Sequence, residues 1–253
     1  MEKIMKKIAI MVSMMISAFF SLNTTAQEMP VGAVVRTLNC SLNNNISMAE
    51  VVEWGRNLPR DETSAGQVFF REALNHSNNF LSRFDFQIAQ YYGSWQNYIE
   101  RIEHNQDGAF AQLARPSDLM TCNPNDAVVI SRQVPDNDGF TADDTLMMTR
   151  YCPLQEGKTV NDAFDFVSAV AANYRAAGNN SMVQLITRSL GPVQNRTGTG
   201  VLIAEVAATP AKMAERLDLL REGENVFQDI ESPFTTCNFP AMWRSHAIRR
   251  VQQ

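Results

Sequence analysis

Apolar and polar positions along this chain alternate between a period of two and a period near 3.6, and the alternation runs through twice. Residues 34–40 and 146–152 are rich in Val, Thr and Met and predict strands. Each strand ends at a cysteine, in Cys40-Ser41-Leu42 and in Cys152-Pro153-Leu154. A helix cap follows at the same interval in both halves. Ser47-Met48-Ala49-Glu50 sets a hydroxyl at the N-cap and a carboxylate three residues on, a capping box, and Thr159-Val160-Asn161-Asp162 opens in the same way. Helices are predicted from these caps to residues 58 and 177, the second with Val160, Phe164, Val167 and Val170 on one stripe. Trp54 and Phe166 occupy matching places and are expected in the core.

Two strands come next in each half, 68–74 and 83–92 in the first, 182–190 and 199–207 in the second. His76-Ser77-Asn78-Asn79, Gly191-Pro192 and residues 195–198 supply turn chemistry between them. Second helices start at Ser94 and at Thr209-Pro210, the latter with proline at the first helical position. The interval from Ser94 to Cys122 equals that from Thr209 to Cys237. Last strands follow at 127–134 and 242–251.

The order is β-α-β-β-α-β, twice, which is the split βαβ arrangement of ferredoxin-like units. Self-similarity of this length outranks any local signal. It divides the chain into a first repeat at 27–135, a linker at 136–144 that contains Gly139, and a second repeat at 145–253. The expected fold class is α+β. Helices would cover one face of each sheet and leave the other as a large apolar patch. The expectation is therefore that the two repeats pack sheet to sheet within one chain and enclose an α/β barrel.

On this element order, over residues 31–251, the chain resembles the dimeric α/β-barrel superfamily in a tandem, fused form. The resemblance rests on the order of elements and not on a signature motif. It implies a barrel interior that can hold a ligand. The superfamily includes cofactor-free monooxygenases, isomerases, haem enzymes and small proteins without assigned chemistry, and fold does not choose among them.

The first residues add a compartment. Lys3, Lys6 and Lys7 precede an apolar run over residues 8–22, and Thr24-Thr25-Ala26 offers small residues for cleavage before Gln27. Residues 1–26 read as a secretory signal peptide, the run being short for a span of roughly 20 residues. The protein is expected to be exported, secreted or periplasmic, with no membrane association once the leader is removed. Net charge is −5, and loss of three lysines with the leader makes it more negative. Without a basic cluster the chain is not a nucleic-acid binder.

Four cysteines in an exported chain argue for disulfides. Three pairings are open, and the repeat favours Cys40 with Cys122 and Cys152 with Cys237. Each would contribute very roughly 4 kcal/mol by loop-closure entropy. The rival, a four-cysteine metal site, lacks the close CxxC spacing of zinc ligands. No metal and no cofactor is expected. The sequence contains no HExxH, GxSxG or P-loop pattern. Of His76, His104 and His246, none sits at matching positions in both halves, which speaks against haem. Asn45, Asn75, Asn179 and Asn195 begin Asn-X-Ser/Thr sequons.

Chemistry is then sought on the barrel's inner face. Along 83–92, Phe84, Phe86 and Ile88 alternate with Asp85, Gln87 and Tyr91, and the apolar set is expected under the helices. Arg244 and His246 share a face of the last strand. Asp85, Gln87, Tyr91 and His246 are the candidate ligand-binding residues, for a small polar-aromatic molecule in the cavity. No catalytic residue is assigned. The sequence favours a small-ligand-binding or structural two-repeat module, with a cofactor-free monooxygenase or isomerase as the alternative. It leaves the oligomeric state open.

Overall fold

A computed structural model describes residues 28–59, 62–75, 84–106, 116–123, 127–139, 142–190, 199–223, 226–227 and 230–250. The expected leader at 1–26, the expected cleavage point before Gln27, His76, the expected turn at 76–79, Gly191-Pro192 and Asn195 lie outside the described residues.

The first half contributes β1 (Ala33–Leu42), α1 (Met48–Arg56), β2 (Gln67–Ala73), β3 (Phe86–Tyr92), α2 (Trp95–Gln106), a 3-10 turn (Pro116–Asp118), β4 (Met120–Cys122) and β5 (Ala127–Gln133). The second contributes β6 (Asp144–Pro153), α3 (Val160–Ala176), β7 (Met182–Leu190), β8 (Gly200–Val206), α4 (Pro210–Arg221) and β9 (Ala241–Arg249). All strand pairs are antiparallel. They run around a ring, β1-β3-β2-β9-β6-β8-β7-β5 and back to β1, and β4 continues the edge of β1 beyond β5.

The fold is therefore α+β, a closed eight-stranded antiparallel barrel with the four described helices around it. The sheets do not remain two layers facing one another. β2 hydrogen-bonds β9 and β5 hydrogen-bonds β7, so the wall is one continuous sheet. The physical reason lies in the edges. An open edge leaves a row of unpaired N–H and C=O groups, and closure pairs them all. Around the ring the halves run β5-β1-β3-β2 and β9-β6-β8-β7, the same order of strands in each.

Local chemistry fixes the helix starts. Ser47 accepts from the Glu50 amide, and the Glu50 carboxylate accepts from the Ser47 amide at 2.8 Å. Thr159 and Asp162 repeat this, the return bond measuring 2.7 Å. Ser94 and Thr209 cap α2 and α4 through the amides of Asn97 and Lys212. The short β4 was not expected from periodicity. It faces the end of β1, with Cys40 directly opposite Cys122.

Disulfides join Cys40 to Cys122 and Cys152 to Cys237, closing separations of 82 and 85 residues. No described cysteine is free, so the four-cysteine metal alternative is excluded. Two such bonds fit an oxidising compartment outside the cytosol. None of the described helices is long and apolar enough to cross a membrane.

The helices bury the outer face of the wall. Val51 and Val52 of α1 meet Phe70, Phe86 and Ile248, with Trp54 at the margin of the cluster. Tyr98 of α2 meets Val34, Tyr92 and Val128. Ala163, Phe164, Val167 and Ala171 of α3 meet Val183, Leu185, Val201 and Ile203, with Phe166 at the margin. α1 comes close because it carries Gly55 there; a Cβ at that position would stand 2.7 Å from Cε2 of Phe70. A separate cluster holds no helical residue. Phe84, Met147, Met182, Ile186, Ala204, Val206, Ala241 and Trp243 meet inside the ring. Trp243 Nε1 donates to Thr149 Oγ1 at 2.8 Å within it. Eight strands give an interior just wide enough for side chains to fill or for one small ligand. Here part of the lumen is filled.

Candidate functional site

Residues directly opposite in an antiparallel sheet point to the same side. Ala73, Trp243 and Met147 belong to the inner cluster and are mutually opposite on β2, β9 and β6. Two residues away along each strand, Arg71, Ser245 and Thr145 are again mutually opposite and therefore inward. The row extends through Gln87 on β3, opposite Arg71, to Asn39 on β1, opposite Gln87. Asn39, Gln87, Arg71, Ser245 and Thr145 thus form one polar row across five strands of the lumen.

Arg71 is its centre. It is 5% exposed, and its Nη2 donates to the hydroxyl of Tyr91. Its guanidinium carbon stands 5.7 Å from the centroid of the Tyr91 ring, which Phe69 meets edge-on at 5.7 Å. Gln87 Nε2 donates to Asn39 Oδ1 at 3.1 Å, and Thr145 Oγ1 donates to the Ala207 carbonyl at 2.6 Å. The Nε of Arg71 has no hydrogen-bond partner among the described residues. Among the described residues no carboxylate pairs with Arg71. A buried charge without an opposite charge is costly, several kcal/mol even after relaxation. Asn39, Gln87 and Tyr91 are only half-buried, so the lumen is reached from solvent on this side.

The corresponding row of the other half is apolar in its middle. Tyr151 is opposite Leu202, Leu202 opposite Ile186, and Ile186 opposite Ser131. The Tyr151 ring lies over Gly200, where a Cβ would fall 2.1 Å from the tyrosine oxygen. Ser131 Oγ and Gln184 Oε1, also inward, lack partners. The lumen is therefore one-sided, with amides and a guanidinium facing aliphatic carbon.

Of the four residues expected from the sequence, Gln87 and Tyr91 come together in the lumen around Arg71. Asp85 does not join them. It is exposed, and its Oδ2 accepts from the Leu42 amide at 2.7 Å, tying the approach to β3 to the end of β1. His246 is placed on the outer face, opposite Phe70 and Asp144, which corrects its expected inward position. Its Nδ1 lies 2.8 Å from Asp144 Oδ1 and its Nε2 3.5 Å from Glu72 Oε2. Arg244 does share that face, so the period was right and the side was wrong. The side is set by register with β2 and β6, which a single strand does not encode. Arg71 was missed, although its signal was present: a cation alternating with Phe69 on a strand of two phenylalanines.

Inward positions of the described strands carry no carboxylate and no histidine, so these positions offer hydrogen bonds and positive charge. No cluster of three or more metal-binding side chains occurs among the described residues. Two cavities among the described residues lie outside the barrel, one beneath α3 and one beside the C-terminal ends of α3 and α4.

No protein-family model matches this chain, and no curated protein sequence matches it. Among solved structures, a candidate monooxygenase of Fusobacterium nucleatum subsp. nucleatum is similar over 87% of this chain and 94% of its own, with TM-score 0.52 and 11% identity. An anthrone oxidase-like protein covers 90% of this chain and 97% of its own, with TM-score 0.46 and 7% identity. At these identities the first likeness is one of fold: this chain is built as a barrel like that of the Fusobacterium protein.

Proposed function

We propose that the chain is an exported small-ligand-binding barrel protein whose ligand is an organic anion held in the polar half of the lumen. The observation that carries this reading is Arg71, 5% exposed, hydrogen-bonded to the Tyr91 hydroxyl and, among the described residues, without a carboxylate. An anionic group beside it, with Gln87 and Asn39 as further donors, offsets the cost of the buried charge. Export follows from the leader at 1–26 and is supported by the two disulfides. The finer architecture belongs to the same proposal: two ferredoxin-like βαββαβ repeats, related by duplication, at 27–135 and 145–253. Its support is the shared strand order, the paired capping boxes, and one bond in common. The Asn123 amide donates to the Asn39 carbonyl at 2.8 Å, and the Asn238 amide to that of Tyr151 at 3.0 Å.

The second reading, a cofactor-free monooxygenase or isomerase, draws on the likeness to the Fusobacterium candidate monooxygenase. Arg71 and Tyr91 could hold a developing oxyanion. The inward positions supply no carboxylate or histidine to take a proton, which ranks binding first. The test is mass spectrometry of what co-purifies with the native protein and with Arg71→Met and Gln87→Leu. An anion carried by the native protein and lost from Arg71→Met at unchanged near-UV circular dichroism is the expected result. Retention by Arg71→Met, or a neutral ligand, overturns the reading, and turnover of the bound molecule with or without oxygen uptake replaces it by the second.

A further inference from the structure

Beneath α3, on the outer face of the barrel, lies a cavity of about 240 Å³. Phe166, Phe227, Phe234 and Ile203 give it an apolar wall, and Arg150 and Glu205 bring charge to it. Phe166 meets Phe234 edge-on at 5.3 Å and lies parallel to Phe227 at 6.3 Å. Phe227 and Ser232 are exposed at the rim, so the cavity opens there.

The charge does not balance. Glu205 Oε1 accepts from Arg150 Nη2 at 3.0 Å, and Oε2 accepts from Arg216 Nη1 at 3.1 Å. Both oxygens are engaged, and two guanidiniums share one carboxylate. Arg216 is fully buried, with its guanidinium carbon 3.7 Å from the centroid of the Tyr174 ring. Its Nε and Nη2, and the Tyr174 hydroxyl, have no hydrogen-bond partner among the described residues. Burial raises the Tyr174 pKa far above its ordinary value, so this hydroxyl stays neutral and adds no negative charge. An excess of one positive charge is thus held against an apolar cavity. The volume exceeds the ~150 Å³ that takes benzene and falls short of the roughly 300 Å³ of drug-sized pockets.

We propose that this cavity is a second binding site, separate from the lumen, for a small aromatic carboxylate: one ring against Phe166 and Phe234, and a carboxylate on a short arm at Arg150. The carboxylate neutralises the surplus guanidinium, and the phenylalanine wall sets the ring's plane.

Isothermal titration of the full, disulfide-intact chain with phenylacetate, and with 2-phenylethanol as its neutral counterpart, tests this. Saturable one-site binding is expected, about tenfold or more weaker for the alcohol. Arg150→Met, which leaves the Glu205–Arg216 pair charge-balanced, should weaken phenylacetate by a similar factor, and Arg221→Met on the exposed surface of α4 should leave it unchanged. No binding at concentrations on the order of 10 mM, equal affinity for acid and alcohol, or an affinity unchanged in Arg150→Met overturns the proposal. Should Arg150→Met fail to fold, wild-type crystals soaked with 4-bromophenylacetate decide it. A bromine anomalous peak beside Phe166 and Phe227 supports the site, and its occurrence only elsewhere refutes it.

Discussion

Replacing Glu205 by leucine should cost far more than the loss of two hydrogen bonds, because it strands a charge. Arg216 has no exposed side-chain surface, and it is ion-paired with Glu205, whose side chain is 4% exposed. Arg150 is 20% exposed and can turn toward water once released, so it adds little. Breaking one side of a buried ion pair costs about 3–5 kcal/mol, while replacing both partners by apolar groups of similar volume is often neutral or stabilising. Glu205→Leu should therefore lose about 3–5 kcal/mol, which at about 2–4 °C per kcal/mol for a chain of this size lowers Tm by roughly 6–20 °C. The double variant Glu205→Leu/Arg216→Met should return to within about 1 kcal/mol of the wild type, although Met leaves the Tyr174 ring without its cation. Urea unfolding followed by tryptophan fluorescence, with both disulfides intact, measures all three proteins. A cost below about 1 kcal/mol for the single variant, or a double variant as unstable as the single, would refute the reasoning. It would mean that packing around Glu205, not an uncompensated guanidinium, governs this site.

Removing the first disulfide as Cys40→Ser/Cys122→Ser opens a separation of 82 residues and should cost about 4 kcal/mol in denaturant unfolding; a loss under about 1 kcal/mol would show that the unfolded chain is already confined. Gly55→Ala gains up to about 1 kcal/mol of helix propensity but drives a methyl to within 2.7 Å of Phe70, so a net loss of about 1 kcal/mol is expected, and a stabilised variant would contradict the close approach of α1. The Ser47 hydroxyl holds the Glu50 carboxyl below its ordinary 4.5, and Thr159 holds that of Asp162 below 3.8. With folded values lower than unfolded ones, both caps contribute fully above about pH 4.5 and fade as pH falls through the folded values. Carboxyl NMR titration should show both depressions, and Ser47→Ala should return Glu50 toward 4.5.

What the sequence determined by itself is local and periodic. The caps at Ser47 and Thr159, the strands that carry Cys40 and Cys152, and the pairing of each cysteine with its partner were legible because side-chain spacing and capping are set within a few residues or repeat along the chain. So was the alternation that put Gln87 and Tyr91 on the face opposite Phe86 and Ile88. Tertiary structure alone decided which side each strand turns inward and how the sheet closes. His246 and Arg71 show the difference, since both sit on strands with clear period-two character. Only the pairing of β9 between β2 and β6 sends the histidine outward to Asp144 and the arginine inward to Tyr91. A strand encodes its alternation but not its neighbour, and a shift of one residue in register exchanges the two faces. The same holds for Arg150: 55 residues before Glu205, it meets Glu205 and Arg216 because β6 pairs with β8 and α4 lies over them.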